Sequence, residues 1–411
     1  MTMTNVPLLA RMTGRDRHEP HRVATPLELF FDLIFVVAVA SSAAQLHHGL
    51  SAGHAEAVIG FVMAFLATWW AWMGFTWFSS AYDNDDAVYR LLAFTIMAGA
   101  LIFAASVPDL FDDGQSKLAV LGYAVMRLAQ VVLWLRVARD HTEGRRTALA
   151  YAIGIALAQV YWILRLLVED PTWLIVTFVI GFLLEISVPA IAELRFGNSP
   201  FHPHHIAERY SLFTIIVLGE VVLSSVTAVQ GLLANEQSHA LAAGGEGGVA
   251  RHEAVTVGSG DLMLMMLGGL LIVFSLWWLY FKRGWADLFE SGGGWAFFAA
   301  YAHVLVFGSV AATGAGLAAG VDVVQGVAAA SPRFVALAMA IPLSIYSLVL
   351  AGMHALEQRN PSSALMASGV SALLLGAALA GWSMPWTVFA FGLVLTGAVV
   401  QHVVSSQRQA H

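Results

Sequence analysis

The sequence predicts an all-α polytopic membrane protein of about twelve transmembrane helices, arranged as two parallel six-helix repeats. Three observations predict it. Of 411 residues, 58% are apolar and only 11% are Asp, Glu, Lys or Arg, against roughly 45–50% and about 25% in soluble domains. The apolar residues fall into stretches long enough to cross a bilayer core of about 30 Å, which takes roughly 20 residues of helix. The two halves of the chain echo each other in a small set of polar and aromatic residues.

The stretches run near 26–46, 56–80, 90–107, 118–137, 147–167, 171–191, 206–229, 261–281, 295–318, 333–356, 362–381 and 386–404. Pro171 and Pro385 mark the turns inside the two nearly continuous pairs. Residues 1–25 are basic and carry no apolar core, so they read as a cytoplasmic tail and not as a cleaved signal. Residues 26–196 form the first six-helix repeat and 197–405 the second, with 406–411 a second cytoplasmic tail. The 230–260 stretch, rich in Gly, Ala and His, is expected to be a mobile external loop.

Basic residues orient the chain. With the N-terminus in the cytoplasm, fifteen Arg and Lys fall on cytoplasmic segments, and four (Lys117, Arg165, Arg251 and Arg333) fall outside. That bias follows the positive-inside rule only if the crossings between basic loops are counted correctly, so it checks the span count too. Both termini are expected in the cytoplasm of a cell with this protein in its inner membrane.

The repeat rests on a Glu opening the first helix of each half, Glu28 and Glu208, and on paired aromatics, Trp69-Trp70 and Trp277-Trp278. An even number of spans per half gives both halves one orientation. That is the parallel-repeat plan of several transporters, which place their site between halves near midplane.

Ionisable groups inside spans are costly, about 2.5–3.5 kcal/mol each at the helix centre on insertion scales, and usually face a partner or a wet cavity. Glu28 and Asp32 share one face of the first helix, four residues apart. Thr25-Pro26-Leu27-Glu28 also reads as a capping box, which accounts for Glu28 as well as a polar site would. Capping does not reach Asp32, one turn deeper. Glu220 lies roughly 18 Å along its helix from Glu208 and follows Gly219, where a ligand or backbone could approach. Arg127 sits mid-span and needs an acid, for which Asp32 or Glu220 would serve. Glu185 and His303 complete the set of ion-relay candidates, His303 for its unperturbed pKa near 6.5. A structural ion pair or a hydrogen-bonded core histidine would account for several of these equally. Glu208-Arg209 reads as a local interfacial pair.

The His clusters, His47-His48 with His54 and His202, His204, His205, lack a zinc spacing and read as solvated loop residues. There is no Cys, no phosphate loop, no dinucleotide fingerprint and no Gly-x-Ser-x-Gly elbow. No metal, no cofactor, no nucleic acid and no enzymatic activity are therefore expected. The expected partners are the bilayer and a small polar solute or ion, with room for a homo-oligomer.

Two segments carry a resemblance. Pro26–Ala40, PLELFFDLIFVVAVA, and Ala207–Leu223, AERYSLFTIIVLGEVVL, are similar to the signature segments of the bacterial low temperature requirement protein A (LtrA) family. The resemblance implies one family domain over most of residues 20–405 and a membrane location. It implies no substrate. Phe30-Phe31-Asp32 more distantly resembles the Phe-Ser-Asp signature of a group of six-helix-repeat potassium channels, although Leu212 stands where a second Asp would fall. The residues thus support a secondary, proton-coupled transporter. An ion channel with Ile34 and Val37 lining a dewetting gate, or an envelope scaffold for cold adaptation, are the alternatives.

Overall fold

Residues 6–17, 19, 22–243, 259–282, 284–290, 293–358 and 362–410 are described by the computed structural model. Among them the chain is all helix: α1 Pro26–Ala52, α2 Ala57–Tyr82, α3 Ala87–Ala105, α4 Val107–Asp113, α5 Lys117–Asp140, α6 Arg145–Arg165, α7 Pro171–Phe196, α8 Pro203–Ala243, α9 Ser259–Phe281, α10 Ala286–Glu290, α11 Gly293–Gln325, α12 Pro332–Gln358, α13 Ser362–Leu379 and α14 Met384–Ala410. Twelve are long and apolar enough to cross a membrane, as the hydropathy pattern predicts. The short helices α4 and α10 were not anticipated.

Local chemistry sets the helix ends. Thr25 and Glu28 form a reciprocal capping box at α1. The Thr25 N–H donates to Glu28 Oε2 at 2.8 Å, and the Glu28 N–H donates to Thr25 Oγ1 at 3.2 Å. Asp86 caps α3, Ser116 caps α5, and Asp170 caps α7 just before Pro171. α4 stops at Gly114, whose φ of 69° is the left-handed conformation open to glycine.

Part of the expected 230–260 loop, residues 230–243, is helical. α8 continues unbroken to Ala243, because residues 232–243 are mostly Ala, Leu, Glu and Gln, which propagate a helix once it is nucleated. Residues 244–258 lie outside the described residues.

The described residues divide into two compact units. One comprises residues 1–42, 59–213 and 285–292; the other comprises 43–58, 214–284 and 293–411. α1 and α8 each contribute to both. In the first unit α3 packs on α5, α5 on α6 and α6 on α7. The α3–α5 contact is backbone to backbone. A Cβ at Gly99 would stand 2.7 Å from the Gly122 carbonyl oxygen, so side chains are excluded where the two helices cross.

The basic N-terminal segment is pinned to this unit. The Ala10 N–H donates to Asp86, the Ala87 N–H to the Pro7 carbonyl and the Arg15 N–H to the Ala81 carbonyl. Met12 is fully buried. Burial opposes ionisation of Asp86, but the Arg136 guanidinium and the Ala10 and Tyr89 N–H groups hold its carboxyl below the ordinary range.

In the second unit α9 packs on α14, α11 on α12, and α12 on α13. The two tryptophan pairs that suggested duplication sit in different settings. Trp69 and Trp70 are buried, whereas Trp277 and Trp278 are each 47% exposed.

Candidate functional site

The densest polar cluster in the first unit is built around Arg209 on α8. This guanidinium is fully buried. Its Nε donates to Asp32 Oδ2 at 3.1 Å, and its Nη2 donates to Asp32 Oδ1, a bidentate fork. Nη1 lies 3.1 Å from Glu28 Oε1, and Nη2 also reaches the Glu28 carbonyl at 3.4 Å. The Trp72 indole N–H on α2 donates to Asp32 Oδ1 at 2.7 Å. Glu28 and Asp32 reach one guanidinium because residues four apart on α1 lie on one face.

Three further groups close the cluster. His205 Nε2 is 3.2 Å from Glu28 Oε1. Arg22, ahead of α1, lies 3.8 Å from Glu28 Oε1 and 3.7 Å from Asp83 Oδ2, and donates to the Ser79 carbonyl at 3.1 Å. Asp83 follows the last turn of α2. Three carboxylates (Glu28, Asp32 and Asp83) therefore face two guanidiniums (Arg22 and Arg209) and one imidazole.

Burial, helped by the nearby Glu28 carboxylate and opposed by Arg22 and Arg15, pushes the Asp83 carboxyl up to about 6. A raised carboxyl pKa means the folded state holds more protons than the unfolded one between about pH 4 and 6. The associated stability is thus complete below the unfolded pKa and is lost as pH rises through about 6. The loss amounts to roughly 3 kcal/mol at most. Unfolding midpoints measured in detergent from pH 4 to 7 should therefore fall for the wild type and flatten for Asp83→Asn. Parallel profiles would remove Asp83 as the titrating group.

A second buried network in the same unit surrounds Glu185 on α7. Its Oε2 accepts from Arg127 Nη2 at 2.6 Å and from Trp70 Nε1 at 3.0 Å. Its Oε1 accepts from the Tyr123 hydroxyl, Gln159 Nε2 and Trp162 Nε1 at 3.1–3.2 Å. Arg127 also donates to Gln130 at 2.6 Å. α2, α5, α6 and α7 all contribute. Gly74 on α2 leaves room for this: a Cβ there would meet Gln130 and Arg127 at 2.8 and 2.9 Å.

The predicted residues thus separate into groups. Glu28 and Asp32 meet, with Arg209 as their shared cation. Arg127 meets Glu185, and not Asp32 or Glu220 as the spans suggested. Hydropathy locates a span but carries no information about which helix faces it. Glu208 does not pair with Arg209; its Oε2 accepts the Ala24 N–H at 3.1 Å. Successive helical residues point about 100° apart, and that was the signal that could have singled out Arg209. His202 and His205 are buried at the start of α8, not solvated in a loop, because the helix begins at Pro203. Arg22, Asp83 and Trp72 were not among the predicted site residues: Arg22 lies in the basic segment ahead of α1, Asp83 just past α2, and Trp72 carries no charge.

Two candidates lie in the second unit. Glu220 is half-buried and accepts from Ser224 Oγ at 3.0 Å. A Cβ at the neighbouring Gly219 would meet nothing within 4 Å, so no close backbone approach explains that glycine. His303 is fully buried, with Nδ1 2.7 Å from the Ala299 carbonyl oxygen and its ring edge-on to Tyr280. His47 also belongs to this unit, 2.7 Å from Asp322 Oδ2, to which Ser51 donates at 2.5 Å.

Comparison with known proteins fits this arrangement. An uncharacterized protein of Rhizobium meliloti (strain 1021) is 25% identical over 265 residues, or 62% of this chain, and the chain spans 58% of that relative's length. The family described as bacterial low temperature requirement A protein (LtrA) matches residues 23–403. The matched range takes in all of α1 and the first turns of α8, which carry Glu28, Asp32 and Arg209. With twelve apolar helices and a family match over nearly its whole length, the chain belongs to the bacterial low temperature requirement A family.

Proposed function

We propose that the protein is a proton-coupled secondary transporter of a small polar solute or ion, set in the bacterial inner membrane with both termini in the cytoplasm. The Arg209 cluster carries this reading. Three buried carboxylates against two guanidiniums leave one negative charge that a proton or a cation can neutralise. A chain gains nothing in stability from a buried charge without a counter-charge, and Glu28 and Asp83, at the ends of α1 and α2, share Arg22. His205 and Asp83 offer the exchangeable positions, and Asp32 holds the deeper one.

Glu220 and His303 are further relay positions in this reading. Arg127 and Glu185 act as a helix clamp, because five donors already saturate the carboxylate. The halves are taken as duplicated six-span units working by alternating access. The orientation rests on the excess of Arg and Lys on one set of loops. The reading assigns transport and no catalysis.

The test uses full-length protein in liposomes loaded with a pH-sensitive dye, with an imposed potassium diffusion potential and a panel of small polar solutes outside. Protein-dependent proton movement is expected with one class of solute. Asp32→Asn should reduce it at least tenfold while leaving the protein folded. Equal proton movement in wild-type, Asp32→Asn and protein-free liposomes would end the reading. Unitary current steps in planar bilayers would replace the carrier with a channel.

A further inference from the structure

Arg165, the last residue of α6, is set apart from the other buried cations. Its side chain is 5% exposed, yet no carboxylate among the described residues comes within ion-pair distance. Its Nη2 donates to the Leu174 carbonyl at 2.7 Å, its guanidinium carbon lies 5.8 Å from the Phe178 ring centre and 6.0 Å from that of Trp162, and its Nε is buried with no partner. Arg22, Arg127, Arg136 and Arg209 each have an acid. A desolvated guanidinium is costly to leave uncompensated. The α6 C-terminus and two aromatic faces offset part of that cost; Arg22, Arg127 and Arg136 also leave Nε without a partner, so what sets Arg165 apart is the missing counter-charge.

Arg165 also lines a cavity of about 50 Å³ in the first unit, whose other walls include Phe103, Ala119, Trp162, Phe178 and Phe182. By the space one water needs, that is room for about four heavy atoms. The position along the span is informative. Leu167, 80% exposed, and Trp173, 59% exposed, flank the short α6–α7 connection, so Arg165 lies where a span ends and lipid headgroups begin.

We propose that this is a binding site for an anionic membrane phospholipid. The phosphodiester pairs with Arg165, whose planar fork suits phosphate oxygens, and a short run of one acyl chain enters the cavity. The charge on Arg165 selects an anionic headgroup, and the aromatic wall selects a hydrocarbon. This site is independent of the proton-coupled reading.

The test uses full-length protein, stripped of lipid in a neutral detergent and given phosphatidylglycerol, phosphatidylcholine, oleate or glycerol 3-phosphate. Retention is read by native mass spectrometry and by the thermal unfolding midpoint. Phosphatidylglycerol should be retained at least tenfold better than the other three and should raise the midpoint. Arg165→Gln should abolish that preference. Ala119→Leu, which keeps the arginine and fills the cavity, should weaken phosphatidylglycerol retention severalfold, and it decides the matter if Arg165→Gln fails to fold. Equal retention of phosphatidylcholine, undiminished retention by both variants, a preference for oleate, or binding of glycerol 3-phosphate as tight as that of the lipid would each overturn the site.

Discussion

Glu185→Ala is expected to lower the unfolding free energy by about 3–5 kcal/mol, the usual cost of removing one partner from a buried ion pair. The variant strips Arg127 of its acid and leaves Trp70, Tyr123, Gln159 and Trp162 without their acceptor. These donors come from three helices, so the damage spreads through α2, α5 and α6 and not α7 alone. Glu185→Gln keeps the shape and one acceptor oxygen, so it should lose less. The double variant Arg127→Met, Glu185→Leu removes the charge together with its counter-charge and should recover much of the loss. Unfolding midpoints in detergent provide the measurement. A double variant no more stable than Glu185→Ala would mean that the remaining hydrogen bonds, and not the charge, hold these helices together.

Arg209→Gln is the second change of large effect. It should cost about 3–5 kcal/mol, because Asp32 loses both arms of its fork and Glu28 loses a cation. Asp32→Asn in the same chain should restore part of the stability, since a neutral amide no longer needs the guanidinium. It should not restore proton movement in liposomes. Stability and transport therefore part company in the double variant: a stable, silent protein supports the cluster as the working site. Recovery of transport along with stability would reduce the cluster to scaffolding.

Both variants depend on contacts that no single segment contains. The pattern of apolar runs located all twelve spans to within a few residues, because a bilayer of fixed thickness demands a helix of fixed length. The capping box at Thr25 and Glu28 was readable for a similar reason, since a cap is settled by four neighbouring residues. Glu28 turned out to serve two purposes at once, with one carboxylate closing the helix start and facing Arg209.

Pairing was less legible. Arg127 could be seen to need an acid, but the spans suggested Asp32 or Glu220, and only the helix neighbours revealed Glu185. Arg209 was discounted for standing beside Glu208, although adjacent helical residues diverge by about 100°. The pinned N-terminal segment, with Met12 buried and Arg22 reaching Glu28 and Asp83, looked like an ordinary basic tail because its partners lie far along the chain. The extension of α8 past residue 230 was missed for the opposite reason. A composition rich in small residues suggested a loop, yet its alanines favour helix when they follow one.

By itself, then, the sequence determined the class of protein, the number and placement of its spans, the start of the first helix and several of the ionisable residues that lie within apolar helices. These follow from local terms: hydrophobic length, capping and the solvation cost of charge. Only the tertiary structure decided which acid meets which base, that the Glu185 carboxylate is saturated, that three carboxylates share two guanidiniums around Arg209, and that Arg165 meets no acid among the described residues. Those facts depend on which helix faces come together, and packing settles that across separations of 58 residues for Arg127 and Glu185 and 177 for Asp32 and Arg209.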